Sequence, residues 1–246
     1  MFFSILIASY NSGNLIAKSI LSIKKQTYTS FQIVSIDGNS LDNTNSIIAN
    51  SLRSYDFHLS EKDKGIYDAL NKGIKYANGD IIGILHSDDQ FSSDNVFAQV
   101  ADRFNKTNCD GVYGNLNFIK NGKIVRKWRS KKFAQFLLNN GWMPPHPTLF
   151  LKKEVFEKHG LYDIDFKIAA DYDFILRIFK DESLKFEYLP ITITNMSIGG
   201  VSTSGFKNLI RKSFEDYKVL KKNNIKYPLL ILFRKITVKI SQFYAI

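Results

Sequence analysis

The chain has 246 residues, of which 44% are hydrophobic and 23% charged, and its net charge is +11. This composition excludes a disordered chain, the single cysteine (Cys109) excludes a disulfide framework and a Cys-based zinc site, and no apolar run approaches the ~20 residues of a spanning helix. The length gives room for one large domain or two small ones.

The N-terminal run FFSILIA (2–8) reads as a buried strand rather than a signal peptide, since no basic segment precedes it and no small-residue cleavage site follows. A helical pattern with Ile16, Ile20 and Ile23 follows, then a second strand, FQIVSID (31–37). A second helix is predicted over 40–53, with Ser40 or Asp42 as cap, and a short strand over 56–59. Asp63 is the expected cap of a third helix carrying Ile66, Leu70 and Ile74 on one face. IIGIL (81–85) is the next strand and ends at His86-Ser87-Asp88-Asp89. Strands alternating with helices at this spacing imply βαβ units and a parallel sheet, whose ligands bind beyond the carboxyl ends of the strands. Three strands end in polar signatures: Tyr10-Asn11, Asp37-Gly38 and Asp88-Asp89.

Further on, residues 112–128 read as a hairpin turning at Asn121-Gly122. A short helix (133–138), a proline-stiffened loop (141–147), a strand (148–151), a helical turn (153–159) ending at Gly160 and a helix (171–179) complete this half. The tail from Phe206 onward carries a net charge of +8. It reads as one helical face with Leu209, Phe214, Tyr217 and Leu220, and a second with Leu229, Phe233, Ile236, Ile240 and Phe243 opposite Arg234, Lys235 and Lys239. Basic and apolar faces at helical spacing fit either an interfacial membrane helix or a helix packed on the domain with its charges outward. A second basic patch, Lys120 to Lys132, has seven Lys/Arg and no acid, and reads as a solvated face.

Four groups carry candidate chemistry. Adjacent carboxylates such as Asp88-Asp89 are costly unless a cation is near, and a divalent metal holding a diphosphate supplies one; the alternative is a turn or cap. Asp37 is either a turn residue or an acceptor for a nucleobase N–H or ribose hydroxyl. His146, between two prolines, is either a loop histidine packed on Trp142 or a hydrogen-bonding group at a substrate pocket. Asp171 either complements a helix dipole or serves as a general base. There is no Walker lysine loop, no dinucleotide glycine fingerprint and no Gly-x-Ser-x-Gly elbow.

Taken in order, Ile7 to Asn11, Ser35 to Ser40 with Asp42 and Thr44, Asp63 to Lys72, Gly79 to Asp89, Pro145 to Thr148, and Ala170 to Phe174 with Arg177 resemble the family 2 glycosyltransferases of the GT-A fold. The resemblance implies an α/β, Rossmann-like, mostly parallel sheet flanked by helices over 1–205, with a basic amphipathic helical extension over 206–246. It implies an inverting transferase that moves a sugar from a nucleotide-diphosphate donor, commonly a UDP-sugar, to a hydroxyl of a glycan or lipid-linked acceptor in surface polysaccharide or glycolipid assembly. By that resemblance Ala8, Tyr10, Asn11, Asp37, Asp68 and Asp88 bind the nucleotide. Asp89 ligates Mg²⁺ or Mn²⁺, Asp171 is the catalytic base, and Trp142 and His146 line the sugar and acceptor pocket.

Two departures stand out: Ala170 replaces an acid that many members carry before the base, and His86 replaces the first acid of the metal motif. Together with the tail and the cysteine count, the family points to a cytoplasmic enzyme, peripheral on the cytoplasmic face of the inner membrane, with no nucleic-acid partner and with homo-oligomerisation through the C-terminal helices. The competing readings are a sugar-phosphate nucleotidyltransferase, disfavoured because no Lys or Arg follows the first strand before Lys18, and a non-catalytic membrane or nucleic-acid adaptor using the basic tail.

Overall fold

The computed structural model describes residues 1–198 and 206–241, with side chains over 1–198 and 210–235. The elements in chain order are β1 (Phe3–Ser9), α1 (Ile16–Lys24), β2 (Phe31–Asp37), α2 (Thr44–Ser51), β3 (Phe57–Ser60), α3 (Ile66–Tyr76), β4 (Ile81–Ile84), β5 (Gln90–Phe91) and α4 (Val96–Thr107). There follow β6 (Gly111–Lys120), β7 (Lys123–Trp128), 3-10 turns at Gln135–Asn140 and His146–Thr148, β8 (Phe150–Lys152), α5 (Lys153–His159), α6 (Ala170–Phe179), β9 (Phe186–Ser197), α7 (Phe206–Lys222) and α8 (Pro228–Ser241).

The strands form one sheet in the order β3-β2-β1-β4-β8-β6-β9-β5, with β7 on β6. β3, β2, β1 and β4 are mutually parallel, and β1 pairs with β2 in full register from Phe3↔Phe31 to Ser9↔Asp37. β8 runs antiparallel to both β4 and β6, and β6 is parallel to β9. The carboxyl ends of β1, β2, β4, β6 and β9 therefore face the same edge. Both faces of the parallel strands are covered, which explains their unbroken apolar runs. Along β1, Phe3, Ile5 and Ile7 join a core with α1 and α4, while Leu6 and Ala8 join a second core with α3, α5, α6, α7 and Ile231 of α8. Gly79 lets the chain cross β1 closely: a Cβ there would lie 2.6 Å from the Ser4 backbone nitrogen.

The Asn121-Gly122 hairpin forms as expected, with both residues at positive φ. Several details differ from the sequence reading. α2 starts later than predicted, because Asp42 takes both the N–H and the hydroxyl of Thr44. Asp63 does not cap α3: Gly65, at φ +118°, leads into the helix, and Asp63 accepts the Gly65 N–H. The predicted helix at 133–138 is a 3-10 turn. α4, β5 and β9 were not anticipated, although Val96, Phe97, Val100, Ala101 and Phe104 mark a buried helical face.

The tail helices pack on the domain with a different face from the one expected. Phe214 is exposed, whereas Glu215, Asp216, Val219 and Leu220 turn inward. Both acids find partners there: Glu215 accepts backbone N–H groups before α6, and Asp216 bridges Lys212 (3.3 Å) and Lys235 (2.9 Å). On α8, Ile231 is buried and Lys235 points inward, with its Nζ 3.4 Å from the Tyr172 ring centre. Leu229, Leu230 and Phe233 remain exposed. The side chains of Leu209, Ile236, Lys239 and Ile240, and all of Phe243, lie outside the described residues.

Candidate active site

The loops after β1 and β2 are laced together. Asn11 and Asn39 adopt left-handed conformations (φ 46° and 64°), which asparagine tolerates, and so turn both loops toward each other. The Asn11 N–H donates to Ser40 Oγ (2.8 Å), and Asn11 Oδ1 accepts the Leu41 N–H (3.0 Å). Asp37 is fully buried and accepts from Ser9 Oγ, Ser60 Oγ, and both the hydroxyl and N–H of Ser40. Burial pushes its carboxyl up, but these donors together hold it below the usual carboxylate value. Its lone pairs are thus used in fixing the two loops, and the open groups above them are Tyr10, exposed at 62%, and Asp63, which lies against Gly38. Ala8 is buried in the sheet. Asp68, at the start of α3, accepts the Lys64 N–H (3.0 Å) and lies 3.7 Å from Lys72 Nζ.

The loop after β4 is fastened from two directions. Ser19 on α1 donates to the Ser87 carbonyl (2.9 Å), and Ser12 meets Ser87 hydroxyl to hydroxyl (2.9 Å). From the end of β9, Ser197 donates its hydroxyl to the Asp88 carbonyl (2.6 Å) and its N–H to Asp89 Oδ1 (3.0 Å). Asp89 is completely buried and its Oδ2 has no partner. Burial, reinforced by the Asp88 charge, pushes its carboxyl well above the usual range. His86 is half-buried, with its Nδ1 enclosed and unpartnered, and desolvation pushes its pKa down against the opposing pull of Asp88 and Asp171.

An orphaned carboxylate oxygen beside a second carboxylate suits a hard divalent cation. No group of three or more His, Cys, Asp or Glu gathers into a metal cage among the described residues. Asp89 Oδ2, with Asp88 beside it, fits an ion such as Mg²⁺ or Mn²⁺, which one or two carboxylates suffice to hold.

Asp171 sits in the first turn of α6, half-buried. Its Oδ1 accepts the Tyr172 N–H (2.8 Å) and lies 3.3 Å from the Tyr67 hydroxyl. Its charge is felt by His86, His146, Tyr67 and Tyr162, so the structure gathers these five side chains around one spot. His146 Nε2 lies 2.8 Å from the Tyr162 hydroxyl, and its ring centre is 6.3 Å from that of His86. It does not rest on Trp142, which packs instead on Phe133, Tyr113 and Phe179. The neighbouring Asp173 is fully buried, paired with Arg177 (3.0 Å) and Lys222 (3.2 Å), and accepts a hydrogen bond from Asn223 Nδ2 (2.9 Å). Of the two acids that open α6, then, Asp173 is sealed into the core and Asp171 keeps part of its surface exposed. The sequence reading missed Ser197, Tyr67 and Tyr162 as site residues. Tyr67 was within reach, since it lies one helical step from Asp68 in the Asp63–Lys72 segment.

The family model for glycosyl transferase family 2 matches residues 4–168. An uncharacterized glycosyltransferase of Mycobacterium tuberculosis is 32% identical over 177 residues, covering 71% of this chain and 67% of its own. An Escherichia coli relative, UDP-Glc:alpha-D-GlcNAc-diphosphoundecaprenol beta-1,3-glucosyltransferase WfgD, is 29% identical over 85% of this chain and 83% of its own. Among solved structures, Staphylococcus aureus TarS 1–349 in complex with UDP-GlcNAc aligns over 91% of this chain and 65% of its own, with TM-score 0.70 at 18% identity. The mannosyltransferase PcManGT of Pyrobaculum calidifontis, in complex with GDP-Man and Mn²⁺, aligns over 95% and 68%, with TM-score 0.69 at 16% identity. The chain spans 39% of the longer TarS chain. These likenesses establish the fold, and the family match sets aside the nucleotidyltransferase and adaptor readings. The chain belongs to glycosyl transferase family 2 and is a glycosyltransferase with the GT-A fold.

Proposed function

We propose that this chain is an inverting transferase that moves a sugar from a nucleoside-diphosphate donor, a UDP-sugar, to a hydroxyl of a glycan or lipid-linked acceptor in surface polysaccharide or glycolipid assembly. The observation that carries this reading is the unpartnered buried oxygen of Asp89, in the turn that its N–H closes on the His86 carbonyl (3.1 Å), together with Asp171, whose charge acts on the same His86 ring. Tyr10, Asn11, Asp37, Asp68 and Asp88 frame the nucleotide end, with Ala8 beneath as floor. Asp89 would hold Mg²⁺ or Mn²⁺, which when bound supplies positive charge to the diphosphate leaving group. Asp171 accepts the proton of the acceptor hydroxyl as that oxygen bonds to the anomeric carbon. The bond from that carbon to the diphosphate oxygen breaks, and its electron pair leaves with the nucleoside diphosphate. One displacement from the opposite face inverts the configuration. His146 and Tyr162 form the wall of the sugar pocket, and Trp142 stiffens the loop behind it.

The WfgD and TarS names support a UDP-sugar donor, and WfgD a diphospholipid-linked acceptor. Among the described residues no helix is long and apolar enough to cross a membrane. Exposed Leu229, Leu230, Phe233 and Tyr227 beside Lys226 support a peripheral position on an anionic leaflet, at the cytoplasmic face of the inner membrane. Self-association through the same helices is the competing use of that surface. A thermal-shift panel of UDP, GDP, CMP and dTDP, each with and without Mn²⁺, tests the donor reading. A Mn²⁺-dependent rise with UDP supports it, and no rise with any diphosphate counts against it.

A further inference from the structure

Asp171 is the second residue of α6, and Ala169, at the cap position, offers no side chain to the first turn. The N–H groups just before that turn are taken by a residue 46 to 47 positions later. Glu215 on α7 accepts the N–H of Ile168 (2.7 Å) and of Ala169 (3.1 Å) through Oε2, while Arg211 Nε holds its other oxygen at 3.1 Å. A carboxylate at this place also complements the helix dipole. The opposite side of the same turn is held by α3. The Tyr67 hydroxyl lies 2.9 Å from the Ile168 carbonyl and 3.3 Å from Asp171 Oδ1, a forked donation from one proton. The Ile168 residue is therefore gripped at its N–H by α7 and at its C=O by α3, and the Tyr67 grip reaches the Asp171 carboxylate itself. Burial holds the Tyr67 phenol well above its ordinary pKa, so it stays a donor.

We propose that Tyr67 and Glu215 are positioning residues for transfer, which clamp the turn before α6 and aim Asp171 at the acceptor hydroxyl. The proposal rests on the reading of Asp171 as the base. Helix ends without partners fray, and a base must stay within hydrogen-bond reach of the proton it takes. A displacement of about 1 Å at such a group costs on the order of 100-fold in rate. The clamp joins two unlike parts of the chain. Tyr67 lies inside the segment that the family model matches, whereas Glu215 and Asp171 lie beyond its end at residue 168. The C-terminal helices thus belong to the catalytic apparatus.

The test uses full-length Tyr67→Phe, Glu215→Ala and Glu215→Gln, with Asp171→Asn as reference. UDP with Mn²⁺ probes the donor site by thermal shift, and UDP-glucose with a GlcNAc-diphosphoryl lipid probes turnover. Tyr67→Phe and Glu215→Ala should keep the UDP response and donor KM within about twofold while kcat falls about 10- to 100-fold. Glu215→Gln still offers an oxygen to both N–H groups and should recover kcat to within about fivefold of wild type. Wild-type kcat in Tyr67→Phe and Glu215→Ala with an inactive Asp171→Asn overturns the clamp alone. Loss of the UDP response in step with kcat makes the two residues merely structural and also overturns it. An active Asp171→Asn overturns the base assignment, and the clamp with it.

Discussion

Asp89 accepts the backbone N–H of Ser197 at 3.0 Å across 108 residues of sequence, so the last turn of the β4 loop is fixed by the far end of β9. That bond orients the carboxylate and uses one oxygen, leaving the other buried without a protein partner. A folded chain tolerates such an atom at a cost, which the Mg²⁺ or Mn²⁺ proposed above would offset on binding.

Asp89→Asn keeps an oxygen for Ser197 and removes the charge. Its nucleotide-induced melting shift with Mn²⁺ should vanish, corresponding to at least about a tenfold loss in affinity, while the melting temperature without ligand does not fall. Differential scanning fluorimetry with and without UDP and Mn²⁺ reads both effects.

Asp216 is nearly buried between Lys212 and Lys235. Burial alone would raise its carboxyl, but the two ammonium groups hold it below the ordinary value. Removing one member of a buried ion pair costs about 3–5 kcal/mol. Asp216→Ala should therefore lower the urea midpoint strongly at neutral pH. Because the folded-state pKa is depressed, the wild-type contribution is present above the unfolded carboxylate pKa and is lost as pH falls through the folded value. The difference between wild type and variant should shrink in acid, as urea titrations at neutral and acid pH would record.

His146 is buried, and burial pulls its pKa from 6.5 down to about 4, against the opposing Asp171 charge. The folded chain keeps it neutral while the unfolded chain takes up a proton below about 6.5. The stability tied to it is full above pH ~6.5 and is lost progressively toward pH ~4, by roughly 3 kcal/mol in total. His146→Gln, which still pairs with the Tyr162 hydroxyl, should flatten that part of the stability–pH curve measured by urea unfolding.

Leu229 and Phe233 lie exposed at 70% and 66% on α8. A Leu229→Glu, Phe233→Glu double variant should bind phosphatidylglycerol vesicles at least about tenfold more weakly in co-sedimentation, since each apolar side chain contributes about 1.5–3 kcal/mol on burial. The Mn²⁺-dependent UDP melting response should be unchanged. Equal vesicle binding by wild type and variant would leave the exposed face to self-association, which sedimentation velocity reads directly.

The parallel half of the sheet was legible because its strands are buried on both faces and announce themselves as apolar runs, and because βαβ spacing fixes their direction. β9 was not legible because Pro190 and Asn195 interrupt its alternation, and its partner β6 lies some 70 residues away. The same distance hid Ser197: no local pattern says that a backbone N–H at 197 will meet a carboxylate at 89. Asp37 illustrates another limit. Its position at a strand end was readable, but its four protein donors come from three separate segments, and only folding shows that they leave it a fastener of loops. On α7, hydrophobic periodicity pointed to Phe214 and Tyr217, yet Glu215 and Asp216 are the residues turned inward. Charges select the buried face when partners await them, and those partners lie in the loop before α6, on α7 itself and on α8.

The antiparallel β8 divides the sheet into an early half, which carries the loops after β1 and β2, Asp89 and the Tyr67 arm of the clamp, and a late half, which carries α6 and the Glu215 arm. The tie across this seam to Asp89 is a main-chain N–H, which any residue but proline can supply. Recombination at the seam therefore need not break the donor site. A hybrid gene joining residues 1–92 of this enzyme to the remainder of a relative would keep the tie to Asp89, and would keep the grip of Tyr67 where the relative offers it a carbonyl and an acid at the places of Ile168 and Asp171.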